Sequence, residues 1–545
     1  MKISRPHLLP SKLVCLLTAG SLLAPLPGIG PAMAQPVAPA SSASALPAMG
    51  DVSTQSLSPA AERRLGDRVM RSILGDPDVV DDPVTLEYVN DVWQDLLRSA
   101  RQRGDISTEL DELYAWRPFL VRERSVNAFA LPGGYIGVHL GLLAMTASPD
   151  ELASVMAHEL SHVTQRHIAR MMSEQSRQSL VSLVSMILGA VAISRNPQAG
   201  QALIVGGQAA SIQGQLNFSR DMEREADRVG FGVLTDAGFS PAGMAQMFEH
   251  LQTASRLNDD NSFPYLRTHP LTTERIGEAR SRLGTSGWNP GSPVSAEEQA
   301  WIARHALLSA RAKALMDIRS ASLQPLIAPN VHPDMSALQA ISQFYLSAVA
   351  ARMLRDGAQA NTSLKAARER LPLLPDSQRA VADRLLTLEE ADLDVASRQA
   401  WQATNLLNAA HARNTLITPT GRPELLLAAQ AALNLPDTAG ARGVIQETAT
   451  RLQTHVSTYP QDATAWASLA PLWLRLGFPL RAVRAEAEAT AANGDLPGAI
   501  DRIEGGRKLV KRVSDDDAIE LSVMQSRLRA WQRQQREDMK EEGGA

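Results

Sequence analysis

Residues 158–162 read His-Glu-Leu-Ser-His and carry the clearest chemistry in the chain. An α-helix has 3.6 residues per turn, so His158 and His162 share one face and both imidazoles can bind one metal ion. Zinc lowers the pKa of a bound water to about 7, and the adjacent carboxylate of Glu159 can accept the proton. The spacing predicts a zinc hydrolase with Glu159 as general base. The alternative is a helix with two unconnected histidines.

Two histidines are too few for a catalytic zinc, which usually has three protein ligands and one open position. The acidic segment 219–227 places Glu223 and Asp227 four residues apart at the start of a predicted helix. We predict that Glu223 is the third ligand of one zinc ion per chain and that Asp227 hydrogen-bonds a ligand histidine. An acidic first turn that stabilises the helix dipole is the alternative.

Two neighbouring polar residues are predicted to lie away from the metal. His167 follows His162 by five residues, which places it roughly 140° further round a continuous helix. It is therefore predicted to be a surface or helix-packing residue. Glu225 points away from the face of Glu223 and Asp227 and is predicted to be solvated.

Local signals define the elements that must hold these residues. Ser148-Pro149 is a helix start with Glu151 closing a capping box, so the histidine pair lies on a well-capped helix. Residues 127–130 and 135–139 predict two short strands around a Gly turn. Residues 114–121 also alternate, and Pro118 predicts an edge strand or a strand end there.

The second half of the chain is rich in Ala, Leu and Arg, which favours packed helices over sheets. Trp466, Leu469, Trp473, Gly477 and Ala482 are spaced as in a tetratricopeptide repeat. The predicted fold class is mainly α with a small β-sheet in an α+β catalytic domain, followed by an all-α repeat domain. An unrelated Ala-rich bundle is the alternative for the second part.

The chain divides by pattern into six parts. These are a signal peptide (1–34, cleaved after Ala34), a flexible linker (35–57), a metallopeptidase domain (58–285), a connecting segment (286–335), helical repeats (336–530) and a disordered tail (531–545). The only cysteine, Cys15, lies in the predicted signal peptide, so the predicted mature chain binds metal without thiolate. An uncleaved membrane anchor is the alternative for the first part.

The weakly polar stretch 178–214 contains two apolar parts, and neither is long enough to span a membrane. The predictions for it are a buried helical hairpin, a flap over the site, or a surface that makes peripheral membrane contact.

Overall composition argues against nucleic acid as a partner. The chain has 545 residues, 44% of them hydrophobic and 21% charged, with a formal net charge of -4. Such values are ordinary for globular domains, and nothing provides the basic surface that a phosphate backbone requires.

Residues 155–167, the Glu-x-x-Ala-Asp of residues 223–227, and Thr-His-Pro at 268–270 resemble the gluzincin metallopeptidases that include CaaX prenyl proteases and heat-shock membrane proteases. The similarity extends to an exported branch with C-terminal tetratricopeptide repeats. It implies the gluzincin α+β fold and zinc at His158, His162 and Glu223. It also implies a role for His269, as a removable fourth ligand or a stabiliser of the oxyanion, with a solvated loop residue as the alternative.

The resemblance further implies a periplasmic endopeptidase in quality control and assembly of outer-membrane β-barrel proteins. Its substrates would be unfolded or stalled outer-membrane proteins, bound as an added strand at Asn127, Ala128 and Phe129. Its repeats would dock on the outer-membrane insertion machinery. The alternative is a latent or non-catalytic chaperone or assembly factor docking on the same machinery.

Overall fold

The computed structural model describes residues 57–174, 219–257, 263–289, 293–412, 421–508 and 515–543. The predicted signal peptide, the predicted linker apart from residue 57, and the stretch 178–214 lie outside these residues. Among the described helices, none is both long enough and apolar enough to cross a bilayer.

A small sheet and a set of helices form the first part of the described chain. The strands are β1 (Val79–Val80), β2 (Arg117–Val121), β3 (Ala128–Leu131) and β4 (Tyr135–His139). The helices are α1 (Pro59–Leu74), α2 (Pro83–Arg103), α3 (Thr108–Leu113), α4 (Leu140–Met145), α5 (Pro149–Thr164), α6 (His167–Glu174), α7 (Arg220–Asp236), α8 (Ala242–Leu257), α9 (Tyr265–Thr268) and α10 (Thr273–Thr285).

The remainder of the described chain is helical. The helices are α11 (Ala296–Leu315), α12 (Ser320–Leu323), α13 (Ala337–Met353), α14 (Gly357–Arg368), α15 (Asp376–Ala396), α16 (Ala400–Ala412), α17 (Arg422–Asn434), α18 (Ala439–Thr458), α19 (Ala463–Leu476), α20 (Pro479–Ala492), α21 (Leu496–Arg507) and α22 (Asp515–Gly543), with short 3-10 turns at Gln324–Leu326 and Leu371–Leu373. The predicted fold class, mainly α with one small sheet, is confirmed.

The sheet has the strand order β1-β2-β4-β3, with β2 parallel to β4 and β3 antiparallel to it. β2 is internal rather than at an edge, contrary to the edge-strand alternative suggested by Pro118. β1 pairs only with Leu120 and Val121 of β2. Pro118, which has no N–H, lies before this paired part, so it interrupts no hydrogen bond between β1 and β2. β3 is left at an edge of the sheet, beside α5.

The helix that carries the histidine pair begins as predicted. The Ser148 hydroxyl accepts a hydrogen bond from the Glu151 N–H, and Pro149 occupies the first turn. The Glu151 carboxylate accepts from the Ala147 N–H at 2.7 Å, one residue before the expected partner. These bonds satisfy otherwise unpaired donors and define where α5 starts.

One apolar core crosses the predicted boundary between peptidase and repeats. Its buried side chains run from Val84 on α2 to Leu427 on α17. Helix α11 lies in the predicted connecting segment but is largely buried, and His305 on it contacts the Tyr88 hydroxyl (2.7 Å) and the Thr146 carbonyl (2.9 Å). Helix α11 of this predicted connecting segment is therefore part of the packed body.

The repeat-like unit is a helix pair made by α19 and α20. Trp466, Leu469, Trp473 and Ala482 are buried in one cluster. Gly477 ends α19 at φ 89°, a left-handed conformation that glycine adopts without steric cost. The helix-pair architecture agrees with the predicted unit, and its identity as a tetratricopeptide repeat stays a prediction.

The predicted disordered tail is wrong for residues 531–543. These residues continue α22, in which Trp531 is buried against α20 and α21. Arg527 forms an ion pair with Glu488 at 2.6 Å. Charge-rich composition predicted disorder, but Trp531 makes long-range apolar contacts and Asp538 forms an ion pair with Arg71 at 3.2 Å.

Candidate metal centre

Helix α5 presents both histidines and the glutamate of the motif to one buried point. The side chains of His158 and His162 are 2% and 0% exposed, and their Nε2 atoms lie 3.0 Å apart. Glu159 is fully buried. Two ring nitrogens at this distance can both bind one metal ion through their lone pairs.

Helix α7 supplies the predicted carboxylates. Glu223 oxygens lie 3.5 Å from the Nε2 atoms of both His158 and His162, and Asp227 Oδ1 lies 2.9 Å from Nδ1 of His158. The close approach of α7 to α5 depends on Gly230, where a Cβ would lie 3.1 Å from the Ala157 carbonyl oxygen. A small residue at that position lets the carboxylates reach the histidine face.

His269 joins the same cluster from the turn after α9. Its side chain is 2% exposed, and its Nδ1 lies 3.0 Å from Glu223 Oε1 and 3.3 Å from His158 Nε2. Its Nε2 lies 3.3 Å from Glu159 Oε1, and its ring stacks on Tyr265 at 4.7 Å. This burial removes the alternative of a solvated loop residue.

The donor set fits zinc. His158, His162, Glu223 and His269 each offer one ligand atom, and these atoms lie within 4.8 Å of one another. A tetrahedral zinc with bonds of about 2.0–2.1 Å separates its ligand atoms by about 3.3 Å. Five of the six pairs among these groups, all except His162 with His269, lie 3.0 to 3.5 Å apart. Nitrogen and carboxylate donors without sulfur are also those of known catalytic zinc sites.

Comparison with known proteins supports this assignment. A sequence model of Peptidase family M48 matches residues 88–283. The chain is 30% identical over 480 residues to the beta-barrel assembly-enhancing protease of Escherichia coli K12, an alignment covering 87% of this chain and 90% of that protein. The chain belongs to peptidase family M48. It is a zinc metalloendopeptidase.

Shorter alignments reach other members. The chain is 35% identical over 237 residues to the beta-barrel assembly-enhancing protease of Yersinia pestis, covering 44% of this chain and 47% of that protein. It is 32% identical over 197 residues to the mitochondrial metalloendopeptidase OMA1 of Arabidopsis thaliana, covering 36% of each. These alignments span half or less of those relatives.

Burial and neighbouring charges set the protonation of this M48 site. Burial raises the pKa of Glu159, which makes its carboxylate a stronger proton acceptor. Burial opposes ionisation of Glu223, but His269 and His158 hold its pKa well below the usual range, so it stays anionic as a ligand must. Burial also opposes the charge of His158, yet hydrogen bonding to Asp227 and Glu223 raises its pKa to about 9.

Arg275 on α10 is a site residue that the sequence reasoning missed. Its guanidinium donates to both Asp227 oxygens at 2.7 and 2.8 Å and to the Pro270 carbonyl at 3.0 Å. It also lies 2.8 Å from Glu223 Oε2. It thus ties both carboxylates to the backbone after His269. Its position, six residues after His269 in the chain, carried no local signal of this role.

Of the two predictions for His167, helix packing is correct and a surface position is wrong, and Glu225 is only partly solvated. His167 is fully buried, and its Nδ1 lies 2.9 Å from Nδ1 of His162. Its Nε2 lies 3.1 Å from Glu225 Oε2, which also accepts from Arg170 at 2.8 Å. The prediction assumed one continuous helix, whereas α5 ends at Thr164 and α6 begins anew at His167.

The predicted substrate strand lies beside the general base. Ala130 of β3 donates its N–H to Glu159 Oε2 at 3.1 Å, so the outer edge of this strand faces the metal centre. Phe129 lies over Gly137 on β4, where a Cβ would lie only 2.4 Å from the ring. The substrate-binding role of Asn127, Ala128 and Phe129 stays a prediction.

Proposed function

We propose that this M48 peptidase acts in the periplasm, cleaving unfolded or stalled outer-membrane β-barrel proteins during their quality control and assembly. The observation that carries the proposal is the alignment with the E. coli beta-barrel assembly-enhancing protease, which extends over 90% of that protein and so includes the helices beyond the metal centre. The buried cluster of donors beside Glu159 supplies the chemistry.

We assign the metal to His158, His162 and Glu223. When bound, zinc supplies a Lewis acid that polarises the peptide carbonyl and acidifies water. Glu159 accepts a proton at its carboxylate, which the Ala130 N–H holds in place. Asp227 Oδ1 lies 2.9 Å from Nδ1 of His158 and favours a proton on that nitrogen, which leaves Nε2 free for the metal. Replacing Glu223 with Ala is expected to reduce zinc content, measured by metal analysis of the purified protein.

The edge position of β3 suits an extended substrate. An unfolded chain can add a strand to this edge through backbone hydrogen bonds, which places its peptide groups along Glu159. A folded barrel has its strands already paired and offers no such segment. The geometry thus favours unfolded over folded substrates.

A latent or non-catalytic assembly factor is the second candidate. The position of His269 favours latency, because its Nδ1 lies among the other donor atoms and would serve as a fourth protein ligand. The helical repeats offer an extended surface for docking on the outer-membrane insertion machinery. This candidate predicts partner binding that persists without hydrolysis.

Digestion of one barrel protein in two states tests the proposal. The zinc-loaded full chain is incubated with an outer-membrane β-barrel protein in urea-diluted unfolded form and in detergent-folded form, and fragments are followed by gel electrophoresis. Cleavage of the unfolded form, at least roughly tenfold faster than of the folded form, is expected, with none by Glu159→Gln. Equal cleavage by Glu159→Gln, or resistance of the unfolded form even after replacement of His269 by Ala, would contradict it.

A further inference from the structure

The end of α5 has an unusual backbone that brings His167 to the metal centre. Arg166 adopts φ 52°, a left-handed conformation that is unfavourable for a non-glycine residue. The chain turns there, and α6 starts at His167 instead of continuing the line of α5. The imidazole of His167 therefore folds back on His162, with ring centres 4.8 Å apart.

Contacts from α1 hold this turn. Arg166 forms an ion pair with Glu62 at 3.2 Å and donates a hydrogen bond to the Leu57 carbonyl. The Glu62 side chain is 2% exposed and that of Arg166 is 27% exposed, so the pair lies at the edge of the buried region. These contacts fix the position of Arg166 and hence the direction of the turn.

The hydrogen-bond pattern specifies the tautomers. Nε2 of His162 faces His158 Nε2 at 3.0 Å, so this nitrogen must carry the lone pair if it binds metal. A neutral His162 then carries its proton on Nδ1, directed at Nδ1 of His167. That atom must accept, which places the proton of His167 on Nε2, directed at Glu225 Oε2.

The two ligand histidines are thus supported in different ways. His158 contacts Asp227 directly, and Asp227 is held by the buried Arg275. On the Nδ1 side of His162, a second imidazole, that of His167, lies between its ring and the Glu225 carboxylate. Glu225 is 28% exposed and paired with Arg170, so this arrangement extends from the metal centre to the protein surface.

We propose that His167 and Glu225 are positioning residues that hold the ring of His162 in the tautomer whose Nε2 binds zinc. The proposal rests on the assignment of His162 as a ligand. It assigns His167 the role of acceptor and Glu225 the role of fixing the proton of His167 on Nε2. Groups that orient a ligand histidine in this way typically change metal affinity by 10–100-fold when removed.

Zinc affinity of the full chain tests the proposal, measured by competition with a chromophoric chelator and independently of any substrate. His167→Phe fills the same space without an acceptor and is expected to weaken zinc binding roughly 10–100-fold. His167→Asn places its Oδ1 roughly where Nδ1 was and is expected to stay within about threefold of wild type. Glu225→Ala, a change at a partly exposed residue, is expected to weaken binding several-fold, by roughly three to ten times.

Two further variants separate the possible failures. His305→Phe replaces a buried imidazole far from the donors and is expected to leave zinc affinity unchanged, which controls for loss of packing. His162→Ala is expected to abolish tight binding; wild-type affinity there would refute the ligand assignment itself. Wild-type affinity in folded His167→Phe, equal losses in the Phe and Asn variants, or wild-type affinity in Glu225→Ala, would each overturn the positioning role.

Discussion

Two buried polar clusters in this protein use similar residues for different ends. Among the described residues, the metal centre holds Glu159, Glu223 and Asp227 against one guanidinium, that of Arg275. Metal ligation requires neutral imidazoles, and in that state three carboxylates and one guanidinium leave two negative charges, which one divalent cation balances. The cluster is therefore incomplete by charge as well as by coordination.

The second cluster lies where the early elements meet the later helices, and its two buried carboxylates, Asp82 and Glu389, are matched by two guanidiniums. Arg311 donates to both oxygens of Asp82 at 2.9 and 2.7 Å and to Glu389 at 2.8 Å. Arg352 also pairs with Glu389, at 2.6 Å, and reaches the partly exposed Asp392. Each buried carboxylate here has a guanidinium as partner, so charge compensation requires no bound ion.

The presence or absence of a compensating charge distinguishes a structural polar cluster from a functional one. Burial alone does not do so, since Glu159 and Glu389 each have side chains that are 1% exposed. What differs is whether the protein supplies the compensating charge. Where it does, the cluster joins elements; where it does not, a ligand is expected.

The largest predicted effect comes from changing these two glutamates to glutamine in parallel. Glu159→Gln is expected to lower proteolysis by roughly 10²–10⁴-fold, because an amide cannot accept the proton, while zinc content and stability are retained. Glu389→Gln is expected to keep turnover per folded, zinc-loaded molecule but to lower the free energy of unfolding by about 3 kcal/mol, since two buried guanidiniums lose an anion. Activity assays and urea unfolding provide the measurements.

Each variant serves as the control for the other, because both replace a buried carboxylate by its neutral isostere. If Glu389→Gln abolished turnover while remaining folded, or Glu159→Gln unfolded the protein, the division between the clusters would not hold.

An intermediate effect is predicted for His269→Ala, which tests whether the metal centre is completed by the protein itself. If the imidazole occupies the fourth ligand position, removing it is expected to raise proteolysis by roughly tenfold, as the fraction of competent molecules increases. If it stabilises the oxyanion, turnover is expected to fall with zinc still bound. We expect the rise, because Nδ1 lies among the other donors. Unchanged turnover would contradict both roles.

The smallest predicted effect concerns the stability that Asp82 contributes through its pairing with Arg311, and how that stability changes with pH. Burial opposes ionisation of Asp82, but Arg311 lowers its pKa from 3.8 to about 2. A depressed folded-state pKa stabilises the fold above the unfolded value, and that stability is lost as pH falls through the folded one. The metal-free protein should therefore exceed Asp82→Asn in stability by about 2 kcal/mol at pH 6.

That stability difference should shrink as the pH is lowered from about 4 towards 2, measured by urea unfolding at each pH. A difference that stays constant across this interval would show that Asp82 acts through packing rather than through charge.

The sequence predicted the parts of this protein that depend on neighbours along the chain. The spacing of His158 and His162 places both on one face of α5, and Ser148 and Pro149 mark where that helix begins. The same helical spacing paired Glu223 with Asp227, and the structure brings both to the histidines. These relations follow from helix geometry and capping, which a few consecutive residues determine.

The remaining features of the site depend on contacts between distant segments, so they become visible only in the folded protein. Arg166 adopts a left-handed conformation although no Gly or Pro marks this position in the sequence. Glu62 from α1 forms an ion pair with it, and the turn places His167 against His162. Arg275 and His269 reach the carboxylates of α7 from some forty to fifty residues further along the chain. Such placements are set by how helices pack and which buried charges must be paired, and no local pattern encodes them.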